Sequence, residues 1–245
     1  MNLSDNGAFN VLQHLYDNIL SLSSDLLGLF YPRVCAGCDA HLRKNEENLC
    51  LLCLHDLPLT YFWDYEVTPI EKLFWGRLPV ASACSFLHFE EGNKAQSLMH
   101  RLKYDSRTGV GIELGRSFAA KLQEKNWFMD IDFIIPIPLH VTRQLRRGYN
   151  QSTFIADGIS NVYDRPVKPH LLRRIVGSDS QTNKSRYNRA ENVETIFRAD
   201  AKGLEGKSVL LVDDVVTTGA TLVSAGSQLV EAGVNKLYIA TLAIA

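Results

Sequence analysis

Two adjacent carboxylates, Asp213 and Asp214, stand near the end of the sequence between an apolar run and a threonine-rich turn. The apolar run occupies residues 209–212, and the turn consists of Thr217, Thr218, Gly219, Ala220 and Thr221. A turn that opens a helix offers free backbone N–H groups, and the helix dipole favours an anion there. Two acids beside an anion site are favourable when the ligand also presents hydroxyl groups and carries Mg²⁺. These residues therefore predict a site for a sugar phosphate that binds together with magnesium.

Four of the five cysteines form two Cys-x-x-Cys pairs: Cys35, Cys38, Cys50 and Cys53. Each pair places two sulfur atoms on one side of a tight turn, and two such pairs complete a tetrahedron around Zn²⁺. We expect a structural zinc site, because four thiolates leave no open coordination position for catalysis. Gly37 should supply backbone freedom to the first turn. His41 and His55 are nearby alternative ligands that we expect on the solvated surface, and Cys84 should lie in the core.

Cations that could neutralise a diphosphate follow another apolar segment, residues 131–137. A turn shaped by prolines and an arginine-rich stretch supply the candidate contacts: Pro138, Leu139, His140, Arg143, Arg146 and Arg147. Arginines so close together could stabilise a departing diphosphate, although each could equally lie in an ordinary solvated loop. Lys103 is a further candidate cation. We assign no general base, because we expect His140 to be an ordinary loop histidine.

Alternating strand and helix patterns would position these groups. Apolar stretches predict strands at residues 80–89, 131–137, 209–212 and 237–244. Helical spacing predicts helices at residues 95–103, 112–125, 151–159 and 220–232. This alternation indicates an α/β fold, with a mostly parallel sheet and helices on both faces. Open sheets of this kind bind their ligands at the carboxyl ends of the strands, where the two acids would fall.

We divide the chain into four segments. Residues 1–30 predict an amphipathic helix, 31–60 a four-cysteine zinc module, 61–77 an aromatic-rich packed connector, and 78–245 the α/β domain. Within the basic stretch 165–198, the polar residues 180–192 predict a loop that closes over the site and excludes water. A plain solvated basic loop is the alternative for this stretch.

Charge and hydropathy exclude several classes of protein. The composition is 46% hydrophobic and 22% charged, which excludes disordered, coiled-coil and collagen-like chains. The formal net charge of −1 makes a uniformly basic surface unexpected, but it averages a leader without Lys or Arg against the basic stretch. That leader has no basic signal-peptide region, and no apolar run approaches the ~18 residues that a membrane helix needs. We expect a cytoplasmic protein without membrane insertion.

The stretch from residue 209 to 221 resembles the 5-phosphoribosyl-1-diphosphate (PRPP) motif of type I phosphoribosyltransferases. By that resemblance, Asp213 and Asp214 hold the ribose hydroxyls, residues 217–221 wrap the 5-phosphate, and Mg²⁺ accompanies PRPP or another phosphorylated ribose. The order of the double CxxC, LKY, PIPLH, RRGYNQ and VLLVDDVVTTGAT motifs is similar to the ComF family. These are competence-protein-F-like phosphoribosyltransferases of bacteria, and the similarity covers roughly residues 28–245.

The ComF resemblance implies two alternative functions. The first is transfer of a phosphoribosyl group to an unknown nitrogen acceptor, with Asp213, Asp214, Arg146 and Arg147 as the catalytic groups. The family is also linked to the uptake of single-stranded DNA in natural transformation, beside a helicase-like partner. The second function is therefore a non-catalytic adaptor that binds single-stranded DNA or the helicase through basic loops and the zinc module. The sequence leaves the acceptor, the oligomeric state and the role of the N-terminal helix open.

Overall fold

The computed structural model describes residues 32–175 and 196–245, and its centre is a parallel four-stranded sheet. The strands of this sheet are β1 (Ser82–His88), β2 (Phe133–Pro136), β5 (Ser208–Val216) and β6 (Lys236–Ile244). They lie in the order β1-β6-β5-β2. All four predicted strands are present, and the parallel α/β class is confirmed. The predicted helix at residues 1–30 and the predicted closing loop at 180–192 lie outside the described residues.

A second, antiparallel sheet pairs two short strands that the apolar pattern does not predict. These strands are β3 (Leu172–Arg174) and β4 (Phe197–Ala199). Strands of only three residues are too short to produce a readable alternation of apolar and polar positions. The guanidinium of Arg174 lies over the ring of Phe197, 5.3 Å from its centroid, which covers one face of this small sheet.

The described helices include all four that the sequence predicts. Their bounds are Leu51–His55 for α1, Pro69–Lys72 for α2, Lys94–Tyr104 for α3, Thr108–Glu124 for α4, Val141–Arg147 for α5, Gln151–Tyr163 for α6 and Ala220–Glu231 for α7. The predicted helices correspond to α3, α4, α6 and α7. Within residues 32–175 and 196–245, none of these helices is long and apolar enough to cross a membrane.

Helices α4 and α6 cross in direct contact through glycines. A Cβ atom at Gly115 would lie 2.4 Å from the carbonyl oxygen of Ile155, and one at Gly158 would lie 2.2 Å from the carbonyl oxygen of Ile112. Any larger side chain would push the two helices apart, because packed backbones cannot yield over such distances. This close crossing sets the position of the N-terminal end of α6, which faces the acidic end of β5.

The aromatic-rich connector packs against the edge strand β1 through some of its side chains. Trp63 and Phe74 are buried, whereas Trp75 is 64% exposed. The hydroxyl of Thr68 caps α2 and donates a hydrogen bond to the carbonyl oxygen of Ala83 in β1, at 2.7 Å. The connector is therefore joined to the sheet by both apolar packing and hydrogen bonds.

Candidate functional site

Asp213 and Asp214 lie inside β5, beyond the point where the neighbouring strand β2 ends. Strand β2 ends at Pro136, which pairs with Val212, but β5 continues beside β6 to Val216. The apolar pattern predicts that this strand ends at residue 212. That prediction is wrong, because pairing with the longer β6 extends β5 past the acids. On the β2 side, however, the acids lie at the carboxyl edge of the sheet. This is the edge where open α/β sheets bind their ligands.

The first turn of α6 holds both carboxylates. Ser152 Oγ donates to Asp213 Oδ1 at 3.1 Å, and Gln151 Nε2 donates to Asp214 Oδ2 at 2.9 Å. Asn150 caps the helix, since its Oδ1 accepts a hydrogen bond from the backbone N–H of Ser152 at 3.2 Å. Sequence reasoning missed Gln151 and Ser152 as site residues. Their signal was a polar pair at a helix start, a position that helical spacing alone treats as solvated.

The charge on the acid pair is offset in two ways. Lys103 Nζ lies 3.0 Å from Asp214 Oδ2, and both side chains are largely shielded from solvent. Burial, and then the neighbouring Asp214 carboxylate, raise the pKa of Asp213 well above the ordinary aspartate value. Lys103 is predicted from the sequence as a cation for a diphosphate, and in the structure its ammonium lies beside Asp214. The pair therefore carries less negative charge than two free carboxylates.

The threonine turn joins β5 to α7 and leaves its polar groups accessible. Thr217, Thr218 and Thr221 are exposed, whereas Gly219 is buried. Gly219 is the N-cap of α7 and has φ +73°, a left-handed conformation that glycine adopts without strain. Asp213 and this turn line a pocket of about 60 Å³. The start of α7 thus offers backbone N–H groups and hydroxyls to an anion beside the acid pair.

The aromatic connector, residues 61–77, contacts the threonine turn and supports it. A Cβ atom at Gly219 would lie 3.2 Å from Cε1 of the buried Phe74. Arg77 Nη1 donates to the carbonyl oxygen of Thr218 at 2.8 Å and to that of Leu73 at 3.0 Å. Sequence reasoning treats the connector only as packing and misses Phe74 and Arg77 as supports of the turn. These contacts set the conformation in which the turn meets a ligand.

The arginine-rich stretch forms the short helix α5, which corrects the expectation of a proline-shaped turn and loop. His140 caps this helix, because its Nδ1 accepts from the backbone N–H of Thr142 at 3.3 Å. Gly148 ends it with φ +80°. His140 is therefore the N-cap of a helix and not the loop residue that the sequence predicts. Pro138 and Leu139 line a different pocket of about 520 Å³, next to β3.

The three candidate arginines separate into two groups. Arg146 and Arg147 line a pocket of about 550 Å³ together with Lys103, Tyr104, Ser106 and Tyr149. The guanidinium of Arg147 lies over the Tyr104 ring at 5.2 Å, and its Nε and Nη1 are buried without a hydrogen-bond partner among the described residues. Arg143 does not line this pocket. After burial, the charge of Arg143 lowers the pKa of Arg174, so Arg143 acts on that residue instead. Two of the three arginines thus share a pocket with Lys103.

The four cysteines of the CxxC pairs form one cluster that can hold a metal ion. One sulfur atom from each of them lies within 4.8 Å of the others: Cys35, Cys38, Cys50 and Cys53. Burial alone would raise the pKa of Cys35, but backbone N–H groups that donate to its sulfur outweigh burial and bring the pKa to about 7. This arrangement suits a thiolate ligand. His41 and His55 are exposed and lie outside the cluster.

Gly37 is required in the first cysteine turn because of a close contact and not because of the predicted backbone freedom. A Cβ atom at this position would lie 2.7 Å from the Sγ of Cys53. Its φ is not among the left-handed values, so backbone freedom is not what selects glycine here. The backbone passes so close to the sulfur atoms that no side chain fits, which is the close approach expected around a metal-thiolate centre.

A phosphoribosyl transferase domain model matches residues 145–244. This range contains the first turn of α6, the acid pair and the threonine turn. The chain is 29% identical to Competence protein F of Haemophilus influenzae over 58% of its length, and it spans 64% of that relative, less than two thirds. It is 28% identical to the DNA utilization protein YhgH of Shigella flexneri, over 87% of this chain and 91% of the relative.

Among solved structures, the glutamine PRPP amidotransferase from B. subtilis aligns with a TM-score of 0.42 and 22% identity. The alignment covers 58% of this chain and 30% of that one. The domain match covers the acidic strand end and the threonine turn, and it agrees with the parallel sheet to which they belong. The domain match over residues 145–244 and the curated relatives support a ComF-family, phosphoribosyltransferase-like protein.

Proposed function

We propose that this protein binds PRPP, or another phosphorylated ribose, together with Mg²⁺ at the acid pair and the threonine turn. One observation carries the proposal: a single edge of the sheet presents two carboxylates beside the exposed start of a helix with three threonine hydroxyls. Asp213 and Asp214 would accept hydrogen bonds from the ribose hydroxyls, and residues 217–221 would donate to the 5-phosphate. The site thus offers hydrogen-bond acceptors to the ribose hydroxyls and hydrogen-bond donors to the 5-phosphate.

We further propose that the bound sugar reacts with a nitrogen acceptor whose identity is open. The bond between C1 of ribose and the diphosphate oxygen breaks, and the diphosphate leaves with the electron pair. The nitrogen lone pair forms the new bond at C1, and the nitrogen then releases its proton to solvent. Mg²⁺ would supply positive charge to the leaving diphosphate. Arg146, Arg147 and Lys103 share one pocket and would neutralise the rest of that charge, which lowers the barrier by preorganised electrostatics.

The cysteine cluster is proposed to hold Zn²⁺ as a structural ion. Four sulfur ligands fill a tetrahedral coordination shell, so no position is left for water or substrate. The zinc would stabilise the segment that contains α1 and would take no part in the transfer reaction.

The biological role that we propose is the handling of incoming single-stranded DNA in the cytoplasm, beside a helicase-like partner. The role in DNA handling draws on the names of the relatives, a competence protein and a DNA utilization protein. The helicase-like partner is what the resemblance to the ComF family implies. One observation favours the alternative of a non-catalytic adaptor. Tyr104 is 55% exposed and lies beside Arg146, Arg147 and Lys103, a combination of aromatic and basic groups that suits single-stranded nucleic acid.

Isothermal titration calorimetry with PRPP and Mg²⁺ tests the primary proposal. The wild type should bind, and the double variant Asp213→Asn/Asp214→Asn should not. The double variant Asp130→Asn/Asp132→Asn is the matched control, because these acids flank the opposite end of the sheet, where they contact Lys236 and Lys207. It should bind as the wild type does.

A wild type that binds no PRPP contradicts the sugar-phosphate site. Fluorescence anisotropy with a labelled single-stranded oligonucleotide then tests the adaptor. In that case Arg146→Ala/Arg147→Ala should weaken binding of the oligonucleotide, whereas the acid variants should leave it unchanged.

A further inference from the structure

The last turn of α3 lies between the cysteine module, residues 32–60, and the acid pair. On one side, Arg101 forms a two-bond ion pair with Asp39 of the module, with Nη1–Oδ1 at 2.8 Å and Nη2–Oδ2 at 2.6 Å. On the other side, Lys103 Nζ lies 3.0 Å from Asp214 Oδ2. Residues two apart in a helix do not share a face, so the two cations extend in different directions from the same turn. Movement of this turn would therefore displace Lys103.

The module also contacts the chain just after Lys103. Arg107 Nη1 donates to the carbonyl oxygen of Val34 at 2.9 Å. The backbone N–H of Asn48 donates to Glu113 Oε2 in α4, also at 2.9 Å. A Cβ atom at Gly109 would lie 2.3 Å from the side chain of Asn48, so the Asn48 side chain packs directly on the backbone of α4 here. Lys103 thus lies between two anchors on the cysteine module, one before it and one after it in sequence.

Asp39 is held in place by the first cysteine turn. It follows Cys38 directly, and its backbone N–H donates to the carbonyl oxygen of Cys35 at 3.0 Å. The backbone N–H of Cys35 in turn donates to the carbonyl oxygen of Ala40 at 2.8 Å, which closes the turn. Asp39 has φ 58°, a left-handed conformation that Asp tolerates better than most residues. The turn that supplies two of the metal ligands therefore also sets the direction of the Asp39 carboxylate.

We propose that Asp39 is a positioning residue: through Arg101 it holds the end of α3 so that Lys103 stays beside Asp214. The cysteine module then contributes to the sugar-phosphate site from the other side of a helix. The expected effect of Asp39 on PRPP binding rests on the proposed function. The structural part of the proposal, the link from Asp39 to Lys103, can be tested without any ligand.

A second contact limits how far Lys103 can move when the ion pair between Asp39 and Arg101 is lost. Tyr149 Oη donates to the carbonyl oxygen of Leu102 at 2.5 Å and also holds the end of α3. Loss of the Asp39 ion pair should therefore loosen Lys103 without releasing it. Partly exposed ion pairs typically change an equilibrium by up to about fivefold, so we expect a change of about threefold to fivefold.

The ligand-free test is the rate at which an amine-reactive reagent labels Lys103, measured by mass spectrometry on the full chain. Lys121 in α4 serves as the internal reference. Asp39→Asn should raise the labelling of Lys103 by about threefold. The matched control is Asp56→Asn, which removes another ion pair between the module and α3, Asp56 Oδ2–Lys94 Nζ at 2.7 Å, at the far end of the helix.

In Asp56→Asn, the labelling of Lys94 should rise and that of Lys103 should stay at the wild-type rate. An unchanged rate for Lys103 in Asp39→Asn, or an equal rise in both variants, overturns the proposal. Zinc content and the thermal midpoint identify a variant that has lost the fold of the module. The exchanged pair Asp39→Arg/Arg101→Asp restores the ion pair and should return Lys103 to slow labelling.

Calorimetry with PRPP and Mg²⁺ tests the consequence for binding. Asp39→Asn should weaken binding about threefold to fivefold, and the exchanged pair should recover it. In a Lys103→Met background, Asp39→Asn should cause no further loss, because both changes act through the same ammonium. If the losses of binding free energy caused by Asp39→Asn and Lys103→Met are additive, the proposal is overturned. If the wild type binds no PRPP, the proposed function fails, and the labelling result still decides whether Asp39 positions Lys103.

Discussion

Replacement of Gly219 by alanine should destabilise the threonine turn through two separate effects. Gly219 has φ +73°, and an alanine in this left-handed region costs about 1–2 kcal/mol of stability. The new Cβ atom would lie 3.2 Å from Cε1 of Phe74. The Phe74 ring is only 1% exposed and has little room to move, so the overpacking adds about 1–2 kcal/mol. Gly219→Ala should therefore lower the free energy of unfolding by about 2–4 kcal/mol.

The chain provides a control that separates the two effects. Gly206 has φ +71°, nearly the same as Gly219, but a Cβ atom there would have no neighbour within 4 Å. Gly206→Ala should therefore show the backbone strain alone, about 1–2 kcal/mol. Urea unfolding followed by circular dichroism measures the stability of both variants. If the dependence of the free energy of unfolding on urea concentration is unchanged, the difference between the variants reflects stability alone.

The contact with Phe74 also predicts a difference in ligand binding. Gly219→Ala should shift the turn and weaken the binding of PRPP with Mg²⁺ measured by calorimetry, whereas Gly206→Ala should bind as the wild type does. Equal losses of stability in the two variants would refute the claim that Phe74 supports the turn. Unchanged PRPP binding in a folded Gly219→Ala protein would refute the claim that the conformation of this turn matters for the phosphate.

Three further predictions concern the acid pair and the cysteine cluster. Ser152→Ala should weaken PRPP binding about fivefold in calorimetry through loss of its hydrogen bond to Asp213, while Ser160→Ala, later in the same helix, should not. Because the folded-state pKa of Asp213 is raised, the stability of the wild type should fall as pH rises through the range above the ordinary aspartate pKa. Asp213→Asn has no proton to lose at this position, so its free energy of unfolding in urea should not show this decrease with rising pH. The variant should therefore be more stable than the wild type at neutral pH. Metal analysis should find one zinc per chain in the wild type and in Cys84→Ser, and much less in Cys50→Ser; equal zinc in both variants would contradict the four-cysteine site.

The parts of the fold that the sequence predicts are those with a local signal. Strand β5 begins as an unbroken apolar run because it is buried on both faces, and the turn after it carries its glycine and threonines in adjacent positions. Helix α5 is missed because it buries no residue, and so has no apolar stripe that helical spacing could reveal. The end of β5 is misplaced because its last residues are held by pairing with β6, which lies far along the chain.

The contacts that complete the site are not predicted because they join distant parts of the chain. Arg77 is separated by 141 positions from Thr218, whose carbonyl oxygen it binds. Ser152 is separated by 61 positions from Asp213. No spacing rule links such residues, since their proximity depends on the order of strands in the sheet and on the crossing of α4 and α6. The acids and threonines could be proposed as a site from the local sequence, but the groups that orient them could not.

The electrostatics of the acid pair account for how a phosphate-rich ligand can approach two carboxylates. Lys103, 3.0 Å from Asp214, offsets the charge of one acid, and burial beside Asp214 favours the protonated form of Asp213. The phosphorylated ribose that we propose as the ligand would therefore approach a site with little net negative charge. Mg²⁺ has the opposite preference, because it binds ionised carboxylates more strongly than protonated ones. The site is thus suited to a ligand that brings its own cation, since the metal compensates the charge that Asp213 acquires when it loses its proton.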